Sequence, residues 1–245
     1  MNSALLIFIL CIISSFVFRM TGFGFGIVIM TVLPYIMPSY GEATTLSGLL
    51  AGSMSILVAW RMRKFVTWSR LLPMLATFGT ISVFAIFLLK RLDDVVLRQI
   101  LGVALMLISI YFSFFSGKIH LKTTIPYQVG AGIVSGFMGG FFGMQGPPAV
   151  LYFVSSEPDK DHYLAMVQHY LLLGNIIMTF ARWRNGFVTP AVGMAYIYGI
   201  GGVAIGATLG SIAFRKIPNR IFKYVVYGFI GICGFVILLT SGRSF

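Results

Sequence analysis

The sequence predicts an all-α polytopic membrane protein made of two homologous halves. Three observations carry this. Hydrophobic residues make up 58% of the 245 residues and charged residues only 10%, where soluble domains average roughly a quarter charged. The apolar residues gather in runs that reach or approach the roughly 20 residues a helix needs to cross hydrocarbon. And a tripeptide recurs with its surroundings, Phe65-Val66-Thr67 returning as Phe187-Val188-Thr189. Lys and Arg number 18 against 6 Asp and Glu, a net charge of +12. A nucleic-acid binder collects such charge on a polar face. Here it lies in short gaps between apolar runs, which excludes a nucleic-acid partner and names the lipid bilayer as the surroundings.

The elements follow in order. Leu5–Met37 is apolar but broken by Arg19-Met-Thr-Gly-Phe-Gly-Phe-Gly26. As one helix it would be about 50 Å long, too long for a core of about 30 Å. Its start, Ala4–Phe18, lacks a basic leader and a cleavage site, so it reads as part of the mature protein. Three spans follow at Ala43–Trp60, Leu71–Leu89 and Val95–Ser116. The second half opens with another interrupted run, broken at Gly143-Met-Gln-Gly-Pro147. Its second arm reaches only to about Ser155 before the polar Glu157-Pro-Asp-Lys-Asp161, too short an arm to cross a membrane. Spans at Tyr163–Ala181, Pro190–Phe214 and Phe222–Thr240 complete it. Each half thus reads as a glycine-broken re-entrant hairpin plus three transmembrane helices. The boundaries are 1–118 for the first repeat, 119–126 for the connecting loop and 127–245 for the second repeat. Strands of a membrane barrel would alternate with period two, and no such alternation is present.

Topology turns on the opening runs. If each enters and leaves on one side, the halves are inverted, and the gaps 61–70, 117–126, 156–162 and 215–223 share a side with 11 Lys and Arg against 6 opposite. If each crosses once, the halves are parallel and the split is nearly even. The positive-inside bias favours the inverted arrangement, with both termini outside and the protein multi-pass in a cell inner membrane.

Paired interrupted segments at matching places in two halves point to a transporter site. A glycine break exposes backbone N–H groups and the positive end of a helix dipole, which suits an anion. Gly22, Gly24 and Gly26 in the first break, and Gly143 and Gly146 in the second, are read this way. Gly201, Gly202, Gly206 and Gly210 are read as close-packing residues. Arg19 precedes the first break and either balances an anion's charge or snorkels to an interface. Gln145 offers an amide in the second break. Gln168 and Asn175 are seven apart and share a helical face. His169 beside them either packs as a neutral, hydrogen-bonded ring or meets substrate or carries a proton. Thr44, with Thr45 and Ser47, offers hydroxyls to the site or to its own helix backbone. Glu42, Glu157, Asp159 and Asp161 read as solvated. Cys11 and Cys233 lie in apolar runs with no partner at metal spacing and read as packing residues. No metal, cofactor or nucleophile motif is present, and Gly22-x-Gly-x-Gly follows no strand, so a dinucleotide reading fails. The chain reads as no enzyme and as needing no cofactor.

These residues resemble the sulfite exporter TauE/SafE family, also described as toluene-sulfonate uptake permeases. Thr21-Gly-Phe-Gly-Phe-Gly26 with Pro34 and Pro38 is similar to the glycine-rich opening of the family's first half, and Gly136-Phe-Met-Gly-Gly140 with Phe142-Gly-Met-Gln-Gly146 to that of its second. The resemblance spans essentially the whole chain. Phe25 departs from the pattern, as do Gln145 and Pro147-Pro148 where the family carries glycines. The resemblance implies a secondary transporter of sulfite, sulfonates or related sulfur oxyanions working by alternating access, with H+ or Na+ as a coupling ion. An anion channel, a carboxylate carrier without sulfur specificity and a non-transporting partner subunit are the alternatives. Substrate identity, direction and oligomeric state carry no signal in the sequence.

Overall fold

The computed structural model describes residues 3–114, 124–157 and 159–214, with isolated positions 232, 235, 238 and 239. The expected span Phe222–Thr240 and Cys233 lie outside the described residues. All regular structure among the described residues is helical. The helices are α1 (Ser3–Thr21), α2 (Phe25–Ile29), α3 (Tyr40–Met62), α4 (Trp68–Leu89), α5 (Asp94–Phe114), α6 (Ile125–Phe142), α7 (Gly146–Ser156), α8 (Lys160–Arg184) and α9 (Pro190–Phe214). Among these residues six, α1, α3, α4, α5, α8 and α9, are long and apolar enough to cross a membrane.

Local chemistry sets the helix ends. Ser39 caps α3 by accepting from the Glu42 amide at 3.2 Å, and its hydroxyl donates to the Glu42 carboxylate at 3.0 Å. Asp159 caps α8, accepting from the amides of Asp161 and His162. Pro190 opens α9, where its missing N–H costs nothing. The sequence reading of Glu42 and Glu157 as solvated is corrected. Glu42 is buried and accepts a 2.5 Å hydrogen bond from Thr189. The Glu157 carboxylate is fully covered and sits 3.6 Å from Arg70. Both acids pin a helix end to the neighbouring half, which a span-by-span reading does not see. Asp159 and Asp161 are exposed.

Large apolar side chains face outward along the long helices, among them Phe84, Phe87, Leu107, Ile176 and Ile197. An unbroken apolar exterior of this kind suits lipid. Trp60 and Trp68 are exposed at one end of the bundle and Trp183 at the other, where tryptophans anchor membrane interfaces.

The packing is crossed between the halves. Helix α1 lies along α9, α6 lies along α4, and α3 packs on α8 at the centre. Replacing each element by its counterpart about 122 residues on, the spacing of the Phe-Val-Thr copies, maps this pattern onto itself. Glycines of the second half make the close approaches. Gly202, Gly206 and Gly210 take Phe8, Ile12 and Phe16 of α1, while Gly132, Gly136 and Gly140 take Met74, Ile81 and Ala85 of α4. Both pairs therefore run parallel. Helices α3 and α8 run antiparallel, Gly41 meeting Phe187 and Gly52 meeting Asn175.

Candidate functional site

The two glycine breaks are made differently. At the first, the Gly22 amide still donates to Phe18 at 2.8 Å, and Gly22 and Gly24 then take left-handed φ values of 82° and 97°. Other residues reach that region only under strain. The chain re-enters the core as α2, whose five residues are all buried. At the second, Gly143 (φ 67°) ends α6 as a left-handed cap. Its amide donates to Gly139 at 3.0 Å and the Met144 amide to Met138 at 3.1 Å. Helix α7 starts at Gly146, but its next two residues are Pro147 and Pro148, which have no N–H. Of the amides at the two breaks, those of Gly22, Gly143 and Met144 are spent on helix carbonyls, and Pro147 and Pro148 cannot donate.

The breaks meet inside the protein. The Gly26 backbone packs directly on the Gly143 carbonyl. Beside this contact is a cavity of about 30 Å³ with Gly24, Gly26, Gln145, Gly146 and Asn175 in its wall, together with Phe18, Phe23 and Phe25. A water needs roughly 10–15 Å³ of such space. The cavity therefore has room for a water or two and none for an oxyanion.

The remaining candidates are placed as follows. Gly22 borders open space. Thr44 is buried, but its hydroxyl donates to its own helix at Gly41, 2.9 Å away. Gln145 is a structural tie: its Nε2 donates to the Leu171 carbonyl at 2.9 Å, and its main-chain oxygen accepts from Ser135 at 2.6 Å. Its Oε1 is buried with no hydrogen-bond partner. Gln168 is buried with its Oε1 equally unpaired. His169 places Nδ1 2.8 Å from the Ala165 carbonyl and its ring edge-on to Trp68. Neither Gln168 nor His169 reaches the cavity wall. Arg19 is exposed, and its Nε donates to Ser211 at 2.7 Å. It lines a separate cleft of about 430 Å³ between α1, α3 and α9, with Arg61, Ser53 and Thr208.

Sequence reasoning passed over one buried charge. The apolar run ends at Ala181, which puts Arg182 in the gap that follows, yet α8 continues through it and it is 1% exposed. The signal was available, because Gln168, Asn175 and Arg182 are spaced seven apart on one face.

A family model, Sulfite exporter TauE/SafE, matches residues 6–237. The chain belongs to this family. No curated protein and no solved structure matches it significantly. As a TauE/SafE chain with six span-length apolar helices among its described residues, it is a multi-pass membrane protein of a transporter family. The glycine-rich stretches that carried the resemblance are the two breaks that meet at the core of this TauE/SafE fold, and the departures at Pro147 and Pro148 fall at the start of α7.

Proposed function

We propose that the protein is a secondary transporter of small sulfur oxyanions, sulfite or short sulfonates, working by alternating access in a cell inner membrane. One observation carries the reading. Broken helices from opposite halves abut at the core, Gly26 on Gly143, and enclose a cavity walled by Gln145 and Asn175. Broken helices meeting near the midplane are how such carriers build their sites. The tightness of the cavity supports a gated carrier over an open pore.

The inverted arrangement of the halves belongs to the same reading. Counterparts related by inversion run in opposite directions, and α3 and α8 are antiparallel. The crossed pairing of α1 with α9 and α6 with α4 supports it too, since exchange of the halves preserves it. With α1 and α2 read as one re-entrant hairpin, α6 and α7 as the other, rocking of one half on the other would open the breaks to either side. The driving force is an ion gradient, H+ or Na+, or the substrate gradient itself.

The test is a thermal-shift screen of purified protein against sulfite, sulfate, thiosulfate, short sulfonates and matching carboxylates, followed by flux in liposomes. A ligand of the native state raises its apparent stability by mass action. Sulfur oxyanions should stabilise it, and external substrate should accelerate exchange of internal label. Linear currents without such acceleration would favour a channel, and stabilisation by carboxylates alone would defeat sulfur specificity.

A further inference from the structure

Arg182 lies at the buried face of α8 with 1% exposure, and no carboxylate among the described residues lies within ion-pair distance of it. A guanidinium so placed in a membrane interior is costly unless it is paired or meets an anion. Part of it is satisfied. Its Nη2 donates to the Gly139 carbonyl at 2.9 Å, which also accepts from the Gly143 amide, and lies 3.4 Å from that of Gly140 in the last turn of α6. Its Nε and Nη1 are buried with no partner. These carry three of the five N–H groups of the fork.

Nη1 lies against Gly48, which carries no side chain. A Cβ on Gly48 would lie 3.0 Å from Nη1 and 3.4 Å from the Asn175 Oδ1. Next to Gly48 the Ser47 hydroxyl is buried and unpaired, and the Tyr40 hydroxyl, whose electrostatics involve Arg182, is likewise buried and unpaired. Gly48 and Asn175 also wall a groove of about 600 Å³ between α3 and α8. A buried positive charge, three unpaired N–H groups and two unpaired hydroxyls therefore lie within a turn or two of the break at Gly143.

We propose that Arg182 coordinates the transported anion through Nη1 while Nη2 holds the end of α6. The proposal rests on the anion-carrier reading and deepens it by placing the substrate's counter-charge. A guanidinium N–H makes a charge-assisted hydrogen bond to an oxygen of a sulfite, sulfonate or carboxylate head group, and Asn175 and Ser47 complete the polar surround. Because the same guanidinium binds the α6 carbonyls, substrate arrival competes with or tightens that link, which couples binding to the break.

The test titrates sulfite and ethanesulfonate against wild type, Arg182→Gln, Arg182→Lys and Gly48→Ala, each purified in detergent, with melting temperature and calorimetric affinity as readouts. At least tenfold weaker binding by a folded Arg182→Gln is expected, with Arg182→Lys recovering part of the loss. If Arg182→Gln is folded and binds within twofold of wild type, the proposal falls. If Arg182→Gln does not fold, Gly48→Ala decides: its methyl fills the space beside Nη1 and leaves the charge in place. A fivefold or greater loss there supports the proposal, and unchanged affinity overturns it. A wild-type protein that binds neither anion would instead defeat the carrier reading, and the proposal with it.

Discussion

Gly26 in the first half rests on the main-chain carbonyl of Gly143 in the second, with no room for a side chain between them. A methyl group there must displace backbone. Gly26→Ala should therefore destabilise the protein by about 1–3 kcal/mol, the usual cost of overpacking. Gly22 provides a contrast. Nothing lies within 4 Å of its missing side chain, but its φ is 82°. Gly22→Ala should cost about 1–2 kcal/mol through backbone strain alone, and Gly22→Asn should recover part of it, because asparagine tolerates that region. Thermal unfolding in detergent separates the two causes: asparagine rescue at 22 and none at 26.

The exposed cleft with Arg19 and Arg61 affects approach more than affinity. Exposed charges steer a diffusing anion, and salt screens them. Arg19→Ala combined with Arg61→Ala should slow initial uptake several-fold at low ionic strength and little at 0.5 M salt, while equilibrium affinity changes by less than threefold. A salt-independent loss of affinity would instead put these arginines in the binding site.

Topology can be read by labelling. Lys64 follows α3 and Asn185 follows α8, at corresponding points of the two halves. In a background lacking Cys11 and Cys233, Lys64→Cys and Asn185→Cys should react with an impermeant thiol reagent from opposite faces of the membrane. Reaction from the same face would establish parallel halves.

Acid should loosen the start of α8. The Asp159 carboxylate is held below its ordinary range, first by the His162 amide. A carboxyl whose folded value lies below its unfolded one binds fewer protons when folded, so it contributes stability above the unfolded value of about 3.9 and loses it as pH falls through the folded value. Asp159→Asn keeps the cap without the charge. Its melting temperature should fall less steeply than that of wild type below about pH 4, and equal slopes would assign the acid response elsewhere.

The regular elements were legible because apolar runs bounded by charge are a strong local signal; the predicted span Pro190–Phe214 is α9 residue for residue. The breaks were legible too, since glycine takes the φ values at Gly22, Gly24 and Gly143 with the least strain. What could not be read locally was partnership. Glu42 sits at a helix start, where acids are commonly wet, and only the fold brings Thr189 to it. Arg182 fell one residue past a hydropathy boundary drawn at Ala181, so its charge was assigned to a loop. The seven-residue spacing from Gln168 through Asn175 was the better guide, because it follows the helix face and not average polarity. Gln145 stands in the wall of the cavity between the breaks, and its amide bond to Leu171 gives it a structural task that spacing cannot show.

The crossed pairing also constrains how the chain assembles as it is made. Helix α1 finishes at Thr21 and its partner α9 begins at Pro190. At synthesis rates of about 5–20 residues per second, α1 waits on the order of 10–30 s in the bilayer before that partner emerges, and only then do Gly202, Gly206 and Gly210 close over it. Neither half, inserted alone, can bury the long seam it forms with the other. Co-expressed halves should therefore reconstitute together or be degraded separately, and a ribosome stalled before Pro190 leaves a membrane protein with its first helix unclaimed.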